Sequence, residues 1–248
     1  MQGSFREIYT FLSSAVVYVQ EVLGRMNLNR IIVVIPAYNE SRHIAGLIQD
    51  IKRYRLDILV IDDGSYDNTF GVAKDCQVKA MLNLSNQGKG ASLIKGFKYA
   101  LENNFDAVIT MDADGQHLPE DLPLFIKAAE TLNADIVIGN RMLNTAKMPI
   151  LRVATNKFMS WLISLISKQD IPDTQCGFRL IRSEVLKSLE LKTSKFETES
   201  EILIKASRRG FRIKSLPIKS VYGKERSQIN PFLDTFRFIR LIIKGKRC

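Results

Sequence analysis

Residues that bind zinc or form disulfides are scarce in this chain. It contains two histidines, His43 and His117, and three cysteines, Cys76, Cys176 and Cys248, without the close spacing of a metal-binding motif. This scarcity argues against a zinc site. An odd number of cysteines with no pairing pattern is typical of reduced thiols in the cytosol.

Long apolar runs are also missing. No uninterrupted apolar stretch reaches the roughly 20 residues that a membrane span needs. Glu7 stands where a signal peptide carries positive charge, and no small-residue cleavage site follows the apolar part. We therefore expect neither translocation nor an integral anchor.

The composition is that of a globular protein with an excess of positive charge. The 248 residues are 46% hydrophobic and 25% charged, which suits one α/β domain or two smaller ones with a sizeable core. The net charge of +10 indicates an anionic partner, which could be nucleic acid, a phosphorylated substrate or a lipid headgroup surface.

Short β-branched runs alternate with helical patterns along the chain. Strands are predicted over residues 31–35, 57–61, 78–82, 107–111 and 135–139, and helices lie between them. This alternation predicts a mostly parallel sheet flanked by helices, with right-handed crossovers. Ligands of such sheets bind at the carboxyl ends of the strands.

Polar and acidic residues follow three of these strands. Tyr38 and Glu40 follow the first, Asp63 the second, and Asp112 and Asp114 the fourth. One such group would be explained by a turn, but three at the same edge predict a binding site. The paired carboxylates are ligands that suit Mg²⁺ or Mn²⁺ and leave coordination places for phosphates.

Other segments allow two interpretations each. Lys89, between two glycines, could cradle phosphate or be a solvated residue at a helix start. The helix predicted over residues 153–167 is apolar nearly all round, which suits either the core or a membrane interface.

We divide the chain into an amphipathic helical extension (1–29), a catalytic domain (30–228) and a basic amphipathic C-terminal helix (229–248) suited to an anionic bilayer.

Five short motifs follow one another along the chain: Pro36–Glu40, Asp62–Ser65, Gly88–Gly90, Asp112–His117 and Asp173–Arg179. In this order they resemble the family 2 glycosyltransferases. Within that family the chain most resembles the dolichol-phosphate mannosyltransferase and polyprenyl-phosphate glycosyltransferase branch. The likeness extends from about residue 31 to residue 227. The Gln-x-x-Arg-Trp motif of processive synthases is missing, which argues against polymer synthesis.

The resemblance implies a glycosyltransferase A-type, Rossmann-like fold and inverting transfer from a nucleotide sugar, GDP-mannose or a UDP-sugar. It implies that Mn²⁺ or Mg²⁺ is held by Asp112, Asp114 and Gln116. The donor-binding residues that it implies are Pro36, Tyr38, Glu40, Ile61, Asp63, Lys89, Asp112, Ala113, Asp114, Gln116 and Arg141.

The acceptor implied by the same resemblance is a polyprenyl or dolichyl phosphate. Its phosphate would contact Arg152, Asn156, Arg226 and Ser227. A phosphate acceptor is mostly ionised at neutral pH, since its second pKa is about 6, and it needs no strong base. A hydroxyl acceptor would need a positioned carboxylate, for which Asp173 and Glu199 are the candidates. We name Asp114, Asp173 and Glu199 as candidate catalytic residues.

Two alternatives stay open from sequence. One is a family 2 transferase that acts on a lipid or glycan hydroxyl. The other is a basic protein that binds nucleic acid or a membrane without catalysis, although no nucleic-acid-binding module is recognisable. We expect the enzyme, peripheral on the cytoplasmic face of a membrane and without a nucleic-acid partner. The oligomeric state is not indicated.

Overall fold

A seven-stranded sheet lies at the centre of the protein, in a computed structural model that describes residues 30–146 and 148–219. The strands are β1 (Ile31–Ala37), β2 (Asp57–Asp62), β3 (Lys79–Leu82), β4 (Ala107–Thr110), β5 (Ile136–Asn140), β6 (Arg179–Arg182) and β7 (Ile213–Pro217). The helices are α1 (Ile44–Lys52), α2 (Thr69–Asp75), α3 (Lys89–Glu102), α4 (Leu122–Thr131), α5 (Ile150–Ser167), α6 (Ser183–Ser188) and α7 (Glu197–Arg208), with a 3₁₀ turn at Pro119–Asp121.

The strand order is β3-β2-β1-β4-β6-β5-β7, and most neighbouring strands are parallel. Only β6 runs against its neighbours β4 and β5. The expected mostly parallel α/β sheet is therefore confirmed. Because β6 is reversed, the loop that precedes it reaches the same edge as the carboxyl ends of β1, β2, β4 and β5. That edge carries the candidate site.

The central strands are continuous apolar runs because helices cover both faces of the sheet. All seven residues of β1 and all four of β4 are buried. The flanking helices bury one stripe each; α1 buries Ile44, Leu47, Ile48 and Ile51, at the three- and four-residue spacing of one helix face. The apolar core is continuous from the β1–β2 pair to β7.

Helix α5 begins earlier than the residue 153 predicted from sequence, which left both the core and a membrane interface open for a helix that is apolar nearly all round. It begins at Ile150, and only one of its faces is buried, around Met159 and Ile163. Trp161 and Leu165 point outward and are 61% and 63% exposed. The apolar residues of α5 therefore serve two surfaces, the core and an outer face.

Several expectations fall outside residues 30–146 and 148–219. They are the N-terminal helical extension (1–29), the loop with Arg226 and Ser227, and the C-terminal basic helix (229–248). Within the described ranges no helix is both long enough and apolar enough to cross a bilayer.

Candidate active site

Lys89 joins three segments of the site. Its ammonium Nζ lies 2.6 Å from Asp112 Oδ1, just after β4, and 3.2 Å from Glu199 Oε2, in the first turn of α7. Burial alone would lower the pKa of Lys89, but the two carboxylates raise it above its ordinary value. Lys89 is therefore a fixed cation at the amino end of α3, not a solvated residue at a helix start.

Asp112 and Asp114 differ in their surroundings. Burial would raise the pKa of Asp112, but Lys89 and a contact with His117 hold it well below its usual range. The pKa of Asp114 is raised, because it is largely buried and lies beside the negative Asp112. Its Oδ1 accepts only the Gln116 backbone N–H, at 3.0 Å, among the hydrogen bonds of the described chain. Negative charge at Asp114 is thus poorly compensated by the protein.

These residues fit a divalent cation that is completed by ligand oxygens. Among the residues described, no group of three histidine, cysteine or acidic side chains could enclose a metal. Two carboxylates and the Gln116 amide are nevertheless hard oxygen ligands, and the uncompensated charge of Asp114 favours a cation. Gly177 leaves the space for Asp112: a Cβ there would lie 2.4 Å from Asp112 Oδ2.

Asp63 holds the loop that leads into Lys89. Its Oδ1 accepts from the Asn83 amide at 2.8 Å and the Gln87 backbone N–H at 3.0 Å, and its Oδ2 accepts from the Gly88 N–H at 2.8 Å. Gly88 has φ +99°, a conformation that favours glycine. Asn83 and Gln87 were missed from sequence, because nothing in the sequence pairs a loop amide with a carboxylate twenty residues away.

The nucleoside-binding residues expected from sequence lie at the ends of β1 and β2. Pro36 and Ile61 are register partners and are buried, whereas Tyr38 and Glu40 are partly exposed in the following loop. Ala113 is buried between the two acidic residues. The structure therefore brings the expected donor residues of three strands to one edge of the sheet.

Arg141 and Asp173 form a buried ion pair. The Arg141 Nε and Nη2 donate to the two carboxylate oxygens at 2.8 and 3.0 Å, and the Arg141 backbone N–H also donates at 3.1 Å. Burial would raise the pKa of Asp173, but Arg141 holds it below its ordinary value. Arg141, expected to bind the donor, and Asp173, a candidate base, are therefore partners of each other.

Arg179, at the start of β6, is a site residue that sequence analysis did not single out. Its side chain is almost completely buried, and it donates to the carbonyls of Thr174, Cys176 and Glu199 at 2.8, 2.8 and 2.7 Å. It therefore ties the loop before β6 to the first turn of α7. The available signal was its place at the end of the Asp173–Arg179 motif.

Helix α5 brings Asn156 toward the Asp173 loop. One turn beyond it, Ser160 Oγ accepts from the Thr174 backbone N–H at 2.9 Å. Asn156 is buried, and its Nδ2 has no hydrogen-bond partner in the part of the chain that the structure describes. Arg152 lies one turn earlier and is partly exposed. Asn156 therefore carries a buried donor that none of the described residues satisfies.

Comparison with known proteins identifies the class. Residues 32–190 match Glycosyl transferase family 2, so the chain belongs to this family and is a glycosyltransferase. It is 32% identical to the UDP-N-acetylglucosamine--dolichyl-phosphate N-acetylglucosaminyltransferase of Methanococcus voltae, over 77% of this chain and 86% of that protein. It is also 32% identical to the undecaprenyl-phosphate mannosyltransferase of Micrococcus luteus, over 77% and 84%.

The fold is similar to that of a solved structure. Glucosyl-3-phosphoglycerate synthase from Mycobacterium tuberculosis, crystallised with Mn²⁺, UDP and phosphoglyceric acid, superposes with a TM-score of 0.70. The match covers 92% of this chain and 80% of the other at 16% identity. The expected glycosyltransferase A-type fold and the resemblance to the polyprenyl-phosphate branch are confirmed.

Proposed function

We propose that the protein transfers one sugar from a nucleotide sugar to a polyprenyl phosphate, with inversion at the anomeric carbon and with a divalent cation. Relatives that share about a third of its sequence are named for transfer to dolichyl or undecaprenyl phosphate. The observation that carries the proposal within the fold is that both candidate base carboxylates are already bound to cations. Asp173 is paired with Arg141, and Glu199 with Lys89.

Two candidate bases that are already paired with cations suit an acceptor that is already ionised. A lipid phosphate is mostly an anion at neutral pH, because its second pKa is about 6. It needs positive groups and hydrogen-bond donors to hold it in line with the anomeric carbon. The Asn156 Nδ2 and the neighbouring Arg152 supply such groups, and Arg226 and Ser227 belong to the same proposed set.

The donor diphosphate would lie at the carboxyl ends of β1, β2 and β4, beside Lys89, Asp112 and Asp114. Asp112, Asp114 and Gln116 would hold the cation, which would neutralise the charge that develops on the leaving diphosphate. Lys89 keeps Asp112 ionised and in place, and Asp63 fixes the loop that carries Lys89. Arg141, which its ion pair with Asp173 holds in place, is a further cation at the carboxyl edge of the sheet.

The outer face of α5 supports action at a membrane surface. Ile150, Leu151, Phe158, Trp161 and Leu165 are each at least half exposed. Lys157 and Lys168 are exposed on the same helix or at its end, as on interfacial helices that bind anionic lipid. We propose peripheral binding at the cytoplasmic face, where free thiols such as those of Cys76 and Cys176 stay reduced.

To test this, the purified full chain and Mn²⁺ or Mg²⁺ are incubated with a panel of nucleotide sugars and a polyprenyl phosphate. The molecular mass of the lipid product is then measured. We expect the phosphate lipid to gain one sugar residue. Polyprenol, which has a hydroxyl in place of the phosphate, should stay unmodified. Glycosylation of polyprenol but not of polyprenyl phosphate would overturn the acceptor assignment. Failure to form product from any of the donors would overturn the proposed reaction.

Variants separate the two acceptor classes within the same assay. Asp114→Ala should abolish transfer, whereas Asp173→Asn and Glu199→Gln should each leave a measurable fraction, because neither acts as a base. Equal and complete loss in all three would indicate a hydroxyl acceptor.

A further inference from the structure

Tyr66 is an aromatic residue at the site edge that has no assigned role. It lies in the loop after β2, and its side chain is 90% exposed. Its ring lies close to that of Tyr38, with the centroids 6.2 Å apart and the planes at 67° to each other. A ring so exposed adds little to folding by burial, so its position needs another explanation.

The backbone beneath the two rings is fixed. The Asn39 N–H donates to Ser65 Oγ at 2.9 Å, and the Tyr66 N–H donates back to Asn39 Oδ1 at 2.8 Å. Asn39 has φ +58°, in the left-handed region that asparagine tolerates better than most residues. These reciprocal bonds join the loop after β1 to the loop after β2.

Two further bonds extend this connection. The Glu40 N–H donates to Thr69 Oγ1 at 2.8 Å, and the Ser41 N–H donates to Asp67 Oδ2 at 3.1 Å. Burial would raise the pKa of Asp67, but hydrogen bonds from Thr69 and Ser41 lower it, so the carboxylate is an ionised acceptor at neutral pH. Hydrogen bonds therefore hold the backbone of both loops in place, whereas the Tyr66 ring is exposed to solvent.

A fixed backbone with an exposed aromatic ring is a preorganised contact surface. Tyrosine offers a large contact area at a small cost in conformational entropy. The strand register places Tyr38 level with Asp63, since Ala37 pairs with Asp62. The two rings therefore lie at the edge where the proposed donor would bind, on the side away from α5.

We propose that Tyr66, beside Tyr38, stacks on the base of the donor nucleotide. This inference depends on the proposed function, because it takes a nucleoside diphosphate as the leaving group. A flat π-system is what an exposed aromatic ring binds best, and the base is the flat part of such a donor. The sugar and diphosphate extend toward Lys89 and Asp114.

The experiment measures binding by calorimetry, using the purified full chain with Mn²⁺. The ligands are UDP, GDP and inorganic pyrophosphate, which has the diphosphate and no base. Tyr66→Ala should weaken binding of the preferred nucleoside diphosphate about tenfold, the worth of one stacked base, and leave pyrophosphate unchanged. Tyr66→Phe keeps the ring and should bind as the wild type does.

A matched control removes an exposed apolar side chain elsewhere. Leu132→Ala, at the end of α4 on the opposite edge of the sheet, should bind all three ligands as the wild type does. Unchanged nucleotide binding by Tyr66→Ala would overturn the stacking role while leaving the proposed function intact. Equal weakening of pyrophosphate would also overturn it, because the loop rather than the ring would be responsible. Absence of nucleoside diphosphate binding in the wild type would instead overturn the proposed donor.

Discussion

Lys89 and Asp112 form a close ion pair across two elements, with Lys89 Nζ 2.6 Å from Asp112 Oδ1. Lys89 begins α3 and Asp112 follows β4, so the pair joins the amino end of a helix to the carboxyl end of a strand. The side chains are 16% and 27% exposed, so water screens the pair only in part. The pair therefore contributes to stability as well as to the geometry of the site.

Lys89→Met should lower the free energy of unfolding by about 2 kcal/mol at neutral pH, between the costs of breaking an exposed and a buried pair, because it removes the ammonium that contacts Asp112 and Glu199. Asp112→Asn added to Lys89→Met should recover part of that loss, since one uncompensated charge is removed. Urea denaturation of the wild type, both single variants and the double variant measures the coupling. A coupling energy near zero would contradict a stabilising pair.

Gly177→Ala should disable transfer with little loss of fold. The added Cβ would lie 2.4 Å from Asp112 Oδ2, so the carboxylate has to move out of its place. We expect the rate to fall at least about a hundredfold, because a displacement of about 1 Å at a reacting site can cost that much. Initial rates in the lipid-phosphate assay and a thermal denaturation curve measure the two effects separately.

Gly46→Ala is the matched control for that change. Gly46 lies within α1, and nothing lies within 4 Å of the position of its Cβ. The substitution should leave the transfer rate unchanged and raise the unfolding free energy by about 0.5–1 kcal/mol, because alanine favours the helix. A full rate in Gly177→Ala would show that Asp112 tolerates displacement.

The parts of the fold that sequence predicted are those with strong local patterns. Runs such as 31–35 and 57–61 are β-branched and buried on both faces, so each reads as a strand without knowledge of its neighbours. The reversed strand β6 is four residues long and has arginine at both ends. Its direction is set by pairing with β4 and β5, which no local pattern encodes.

In the candidate site, too, local patterns predicted some features, whereas contacts between distant residues could not be predicted. Strand-end position and residue type were enough to predict that Asp112 and Asp114 lie together at the carboxyl end of a strand. The partners of the charged residues were not predictable, because Arg141 and Asp173 are 32 residues apart in the chain. Arg179 begins a short strand, where an arginine is ordinarily exposed, and only the folded chain shows that it is buried.

Asp173→Asn should change the acid sensitivity of the protein. The pKa of Asp173 is held below its ordinary value of 3.8, so the ion pair stabilises the fold fully above that pH. The stabilisation is lost as the pH falls through the lowered pKa. The unfolding free energy of the wild type should therefore exceed that of Asp173→Asn by about 3 kcal/mol from pH 7 to pH 5. This difference should shrink below pH 3.8.

Urea denaturation at a series of pH values measures this difference. Asp50→Asn is the control, because Asp50 forms an exposed pair with Arg53 at 3.2 Å and should change stability by less than about 1 kcal/mol. A difference between wild type and Asp173→Asn that stays constant down to pH 3 would contradict the ion pair as its source.

Trp161 offers a direct test of the outer face of α5, because it is the only tryptophan in the chain and is 61% exposed. If this face lies on the membrane, vesicles that contain anionic lipid should shift the tryptophan emission to the blue. Vesicles of zwitterionic lipid alone should shift it less, and added salt should weaken the binding, because Lys157 and Lys168 attract the anionic surface.

Phe158→Ser should lower the vesicle affinity about tenfold, since it removes one buried aromatic side chain from the contact. Leu132→Ser, on α4, should leave the affinity unchanged. An emission spectrum that does not move with excess anionic vesicles would place the membrane contact elsewhere on the protein.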